Sequence, residues 1–140
     1  NDWLSIDFDA AHEKARSCDF DPVGNSIVGA IEGIAQLSAT VDKLGAWSGA
    51  LRLRYFGPRA LLEDNSVRSK ASSTLNGRIG YKFSPTLKLE LEGFNLTNRR
   101  ASAIDYYYES QLKGEASPKE DIHFHPLESR SFRLMLVKTF

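Results

Sequence analysis

Apolar and polar residues alternate strictly through much of the chain, and helical spacing is hard to find. In Leu75-Asn76-Gly77-Arg78-Ile79-Gly80-Tyr81-Lys82-Phe83 the odd positions are Leu, Gly, Ile, Tyr and Phe, and the even ones Asn, Arg, Gly and Lys. A period of two marks a strand with one apolar and one polar face. The same rhythm sets Leu4, Ile6, Phe8 and Ala10 against Ser5, Asp7 and Asp9, and Ala35, Leu37, Ala39 and Val41 against Gln36, Ser38, Thr40 and Asp42. Trp47, Gly49, Leu51, Leu53 and Tyr55 alternate with Ser48, Ala50, Arg52 and Arg54. Leu87, Leu89 and Leu91 alternate with Lys88, Glu90 and Glu92; beyond Gly93 the phase slips to Phe94 and Leu96, which predicts a bulge at that glycine. A last strand carries Phe132, Leu134 and Leu136 towards Phe140, making six strands in all.

The connections sort into two kinds. Asp42 to Ala46 and Ser84 to Thr86 are short and rich in turn residues, whereas Ala11 to Ala30, Gly57 to Ser72 and Thr97 to Ser129 are long. In an up-and-down antiparallel sheet this puts every short turn at one end and every long loop at the other. Membrane barrels show that segregation, and a soluble sandwich has no reason for it. The longest loop is expected to hold a hairpin of its own, because structureless loops of that length are uncommon. Ile104 to Leu112 and Asp121 to His125 are rich in β-formers, with a turn at Lys113-Gly114-Glu115-Ala116-Ser117-Pro118. That hairpin is expected to extend the last two strands.

Alternation alone does not say whether the apolar face looks into a dry core or out into lipid. Large aromatics at the predicted strand ends favour lipid: Trp47, Tyr81, Phe83 and Phe140 near the short turns, Tyr55 and Phe56 near the long loops. The other face carries charges of both signs, Asp7, Asp9, Arg52, Arg54, Arg78, Lys82, Glu90 and Glu92, as a watery lumen would require. A soluble antiparallel barrel or sandwich around a small apolar ligand is the alternative with the same alternation. Six strands, however, leave two unpaired edges, and an open edge in hydrocarbon strands its backbone donors and acceptors at several kcal/mol each. Asn1-Asp2-Trp3-Leu4 shows neither the basic region nor the apolar core of a signal peptide. The 140 residues are therefore expected to be the C-terminal segment of a larger barrel.

Composition narrows the function classes. Eighteen basic residues balance eighteen acidic ones, which gives no electrostatic footprint for nucleic acid. No run approaches the ~18 apolar residues of a membrane-spanning helix. Cys18 is the one cysteine, so neither an internal disulfide nor a thiolate metal cluster is expected.

Several segments together carry a resemblance. Trp47-Ser48-Gly49, Leu51-Arg52-Leu53-Arg54-Tyr55-Phe56-Gly57-Pro58-Arg59 and Glu63-Asp64-Asn65-Ser66 resemble a late strand and loop of TonB-dependent outer-membrane receptors. Leu89-Glu90-Leu91-Glu92-Gly93-Phe94-Asn95-Leu96-Thr97-Asn98-Arg99 is similar to their penultimate-strand pattern, and the close at Phe140 matches their aromatic terminus. Lys138, where that family has an aromatic, and the residues flanking Asn95-Leu96 depart from the pattern. The resemblance implies an all-β, partial transmembrane barrel in the bacterial outer membrane, in contact with its lipid. It also implies energised uptake of a scarce solute such as a ferric siderophore. TonB would act through an N-terminal plug that these residues do not include, so the segment alone is expected not to transport. No cofactor and no resident metal are expected.

Candidate ligand contacts lie in the loops. Tyr106, Tyr107 and Tyr108 offer rings for stacking on an iron chelate or a glycan, or for packing on neighbouring loops. Arg52, Arg54 and Arg59 offer cations for an anionic ligand, or more often for pairing with carboxylates of the lumen or of a plug. His123-Phe124-His125 puts two imidazoles on one strand face with Asp121, a pattern more often solvated than metal-binding. A barrel hydrolase is a further alternative, for which His12 is the candidate base, although no serine stands out as its nucleophile.

Overall fold

The computed structural model describes residues 2–19 and 22–140; Asn1, part of the N-terminal reading above, lies outside them. Its regular structure is all β, in strands β1 (Leu4–His12), β2 (Gly33–Leu44), β3 (Trp47–Phe56), β4 (Ser72–Ser84), β5 (Leu87–Phe94), β6 (Ser102–Ser110), β7 (Lys119–Pro126) and β8 (Ser131–Lys138). Six of them make one antiparallel sheet in the order β1-β2-β3-β4-β5-β8, while β6 and β7 pair only with each other. The hairpin expected in the longest loop is therefore present, but as a separate sheet rather than an extension of β5 and β8.

The register carries the alternation straight across the sheet. Leu4, Val41, Gly49, Ile79, Leu91 and Leu134 form one continuous row over the six strands. The row above it runs Ile6, Ala39, Leu51, Gly77, Gly93 and Phe132. Every member of these rows comes from the apolar phase of its strand, so one face is aliphatic and aromatic from edge to edge. At the short-turn end Trp47 meets Tyr81 edge-on at 4.7 Å and Tyr81 meets Phe83 at 4.9 Å. Phe56 departs from the expectation that it belongs to an aromatic band on this face. Its phase is that of Arg52 and Arg54, and its ring lines a cavity on the polar side.

The large apolar side chains of the sheet stand exposed, unlike those of a water-soluble core. Ile6, Phe8, Leu134 and Leu136 are each about two-thirds exposed, and the described residues hold no fully buried large side chain. The sheltered residues are chiefly polar: Ser38, Ser69, Asn95 and Asp105 are buried, with Ala60 and Leu61 as the apolar exceptions. Lys88 and Glu90 pair at 2.6 Å on the polar face, and Arg133 reaches Glu92 at 3.5 Å. The leucines are thus not enclosed in a dry centre.

Both short turns contain a register shift, between Val41 and Leu44 and between Lys82 and Ser84. The expected bulge at Gly93 is not found: Gly93 pairs in register with Gly77 on one side and Phe132 on the other. The phase slips because the strand ends. Asn95 takes a positive φ of 46°, a conformation that Asn tolerates better than most residues, and the chain crosses the rim to the apolar side. Leu96 then lies where Gly77 and Gly93 have no side chains; a Cβ on Gly93 would sit 2.5 Å from Leu96 Cδ2, and one on Gly77 3.1 Å from its Cδ1. The outer edges of β1 and β8 pair with no other described strand, so the sheet is open.

Candidate functional site

All long connections meet at one end of the sheet and are tied to one another. The loop between β1 and β2 lies against the loop between β3 and β4: Ser26 N–H donates to Glu63 O at 3.0 Å and Gly29 N–H to Ala60 O at 2.9 Å. Gly24 is required at this contact, because a Cβ there would fall 2.6 Å from Asp64 Cα and closer still to the Glu63 carbonyl. Arg68 clamps the same pair of loops through Glu32, Nη2 to Oε2 at 2.5 Å, and also donates to Asn65 Oδ1. The hydrogen bond from Arg68 holds the Glu32 carboxyl below its ordinary pKa, against a smaller upward push from burial. Asp64 is held low by the Ser66 backbone N–H and then by the Ser66 hydroxyl.

Arg59 ties this cluster to the β6–β7 hairpin. Its Nη2 reaches Asp105 Oδ2 at 2.9 Å and Ala103 O at 3.1 Å, and the two side chains are only 13 % and 6 % exposed. The hairpin is held from below by Asn95, whose side-chain amide donates to Arg99 O at 3.0 Å and to Glu128 O at 2.9 Å. Its Oδ1 accepts the Arg99 N–H at 3.0 Å, and its own N–H donates to Asn76 Oδ1 at 2.9 Å. Sequence reasoning met Asn95 only inside a family-like pattern and gave it no role; two of its partners, Asn76 and Glu128, lie 19 and 33 residues away and leave no local signature.

Pairing of β6 with β7 divides the tyrosine run. Tyr106 and Tyr108 share a face with His123 and His125: Tyr108 stacks on His123 at 4.0 Å between centroids, and Tyr106 meets His125 edge-on at 6.2 Å. Tyr107 points the other way and donates to Glu120 Oε2 at 3.4 Å. Desolvation, with Glu120 next, raises the pKa of its phenol. The six candidates therefore separate into an exposed Tyr–His face, a structural Arg59 and a Tyr107 on the opposite side. His123 Nε2 lies 3.0 Å from Ser110 Oγ, a pair the sequence reading missed. Asp121 does not orient it, its Oδ1 accepting from the Ile122 N–H. Among the described residues no group of three or more His, Cys, Asp or Glu is placed to hold a metal.

Beneath the hairpin, on the polar face, lies a cavity of about 430 Å³. Arg54, Arg59 and Lys70 give it positive charge, Phe56 and Phe94 give it rings, and Glu128 supplies the carboxylate. Arg54 donates to Gln36 Oε1 at 3.1 Å, and the Arg133 guanidinium stands 5.3 Å from the Phe94 centroid. Such a space suits a solute carrying both rings and negative charge.

No protein-family model and no curated protein matches the chain. Solved structures do match. The ferric-catecholate import receptor Fiu of E. coli K12 superposes on 100 % of this chain with a TM-score of 0.75 and 19 % identity. The ferric yersiniabactin uptake receptor FyuA of Yersinia pestis superposes on 99 % of it with a TM-score of 0.67 and 18 % identity. The chain spans 19 % and 21 % of the lengths of those two receptors. In fold, the chain matches a segment of receptors that take up ferric ligands.

Proposed function

We propose that residues 1–140 are a C-terminal segment of the β-barrel of a TonB-dependent outer-membrane receptor, and that the parent imports a scarce iron-bound solute. The observation that carries this reading is the exposed apolar face: rows of leucine, isoleucine and phenylalanine stand open on one side of the sheet, and charged residues of both signs line the other. Exposed aliphatic rows of this extent are stable against acyl chains and costly against water. The two open edges and the share of the receptors' length that is covered support further strands in the parent. The soluble-barrel alternative needs the leucines inside, and the hydrolase alternative needs a serine on His12, to which none is hydrogen-bonded among the described residues.

In this reading the long-loop end faces the cell exterior. The Tyr106, Tyr108, His123 and His125 face makes first contact with the solute, by stacking, and the cavity with Arg54 and Lys70 receives its negative charge. Arg59 acts by holding the hairpin over that cavity. Release through the barrel belongs to a plug and to TonB, so the segment alone does not transport. The reading is tested by purifying the 140-residue chain with and without detergent. The expected result is folding only in micelles or bilayers, and a monomeric, cooperatively folded chain in plain buffer overturns it.

A further inference from the structure

After Asn95 the backbone crosses to the apolar face, and this puts a guanidinium at the long-loop rim of that face. Leu53, Ser73, Leu75, Thr97 and Arg99 line a groove of about 360 Å³ on that face, at the long-loop rim and beside Tyr55, the register partner of Ser73. The Arg99 backbone is fixed at both ends of its peptide group, its N–H by Asn95 Oδ1 at 3.0 Å and its carbonyl by Asn95 Nδ2 at 3.0 Å. Its guanidinium is exposed and has no ion-pair or hydrogen-bond partner among the described residues. A pinned backbone with an unpaired guanidinium, flanked by the Ser73 and Thr97 hydroxyls above two leucines, is complementary to a phosphate on an acyl chain: donors for the headgroup, aliphatic wall for the tail.

We propose that this groove is a site for a membrane lipid with an anionic phosphate headgroup, Arg99 binding the phosphate and Leu53 and Leu75 the first part of a chain. The inference rests on the apolar face being the lipid face. The chain is added to phosphatidylcholine vesicles and to the same vesicles containing phosphatidate, and partitioning is followed through the emission of its two tryptophans, Trp3 and Trp47. Both vesicles are expected to bind, the phosphatidate ones about fivefold more tightly, the effect of one cation at an anionic surface. Arg99→Gln should abolish that preference and leave binding to phosphatidylcholine unchanged. Arg133→Gln, the same charge change on the polar face beside Glu92, should keep the preference. Equal affinity of the unmodified chain for the two vesicles, or an equal loss in Arg133→Gln, overturns the headgroup site while leaving the lipid face standing. Competition by millimolar inorganic phosphate overturns the lipid as its source. Failure to bind either vesicle overturns the lipid face itself.

Discussion

Asn95 shows how much of this structure rests on single polar side chains. It is buried, sits at positive φ, and its short amide supplies one acceptor and two donors to the backbone of two separate segments. Asn95→Ala leaves the Arg99 and Glu128 carbonyls without their partner, and should cost about 2 kcal/mol, read as a lower denaturant midpoint in micelles. Arg59 and Asp105 form the other buried tie. Arg59→Gln or Asp105→Asn alone strands one charge, whereas the double replacement strands none. A double-mutant cycle should therefore show the pair losing clearly less than the sum of the singles, by about 1 kcal/mol or more. Glu32 adds a pH dependence. Its folded pKa lies below the unfolded value, so its contribution is complete above the ordinary carboxylate range near 4.5 and is lost as pH falls through the lower folded value. Protection of the Ser26 and Gly29 amides, taken against the intrinsic exchange rate at each pH, should fall in that acid window, and should not fall there in Glu32→Gln. None of these roles was legible in the sequence, because each depends on at least one partner far along the chain. Pairing with a carboxylate is the expectation for Arg59, but the sequence does not say which one, because Asp105 lies 46 residues away.

At the scale of elements, the strands were legible and their assembly was not wholly so. Alternation places β1 to β5 and β8 within a few residues, since a half-polar strand must repeat every second position whatever surrounds it. The hairpin of β6 and β7 was readable from its β-formers and its turn, but its separation from the main sheet was not, because Asn95 and Arg59, rather than strand pairing, set where it sits. Gly93 misled for a related reason: periodicity registers a phase slip and cannot distinguish a bulge from a strand that ends and turns over the rim. The loop-to-loop contact has its own weak point. Gly24→Ala drives a methyl into the Glu63–Asp64 backbone, which no rotamer relieves. It should lower exchange protection of the Ser26 and Gly29 amides at least about tenfold, about 1.4 kcal/mol of local stability, with strands β2 to β5 unaffected.

In the proposed reading the whole molecule is a sheet with two solvents. Its apolar face was legible as a face, but its direction became readable only from exposure, because a lipocalin-like core and a lipid-facing wall share one alternation. Direction makes the two faces respond differently to charge. Leu51→Arg, in the middle of the apolar rows, should cost about 2–4 kcal/mol in bilayers. Gln36→Glu, beside Arg54 on the polar face, should change stability by no more than about 0.5 kcal/mol. Paired refolding titrations in vesicles check both values. The exposed rows also change what natural variation can do. In a water-soluble protein each core side chain must match the shape of fixed neighbours; in the proposed reading the neighbours of Ile6, Phe8, Leu134 and Leu136 are largely fluid hydrocarbon, which moulds itself to any outline. Exchanges among Leu, Ile, Val and Phe at these positions should drift almost neutrally, so that the outer wall keeps its oiliness while losing its spelling.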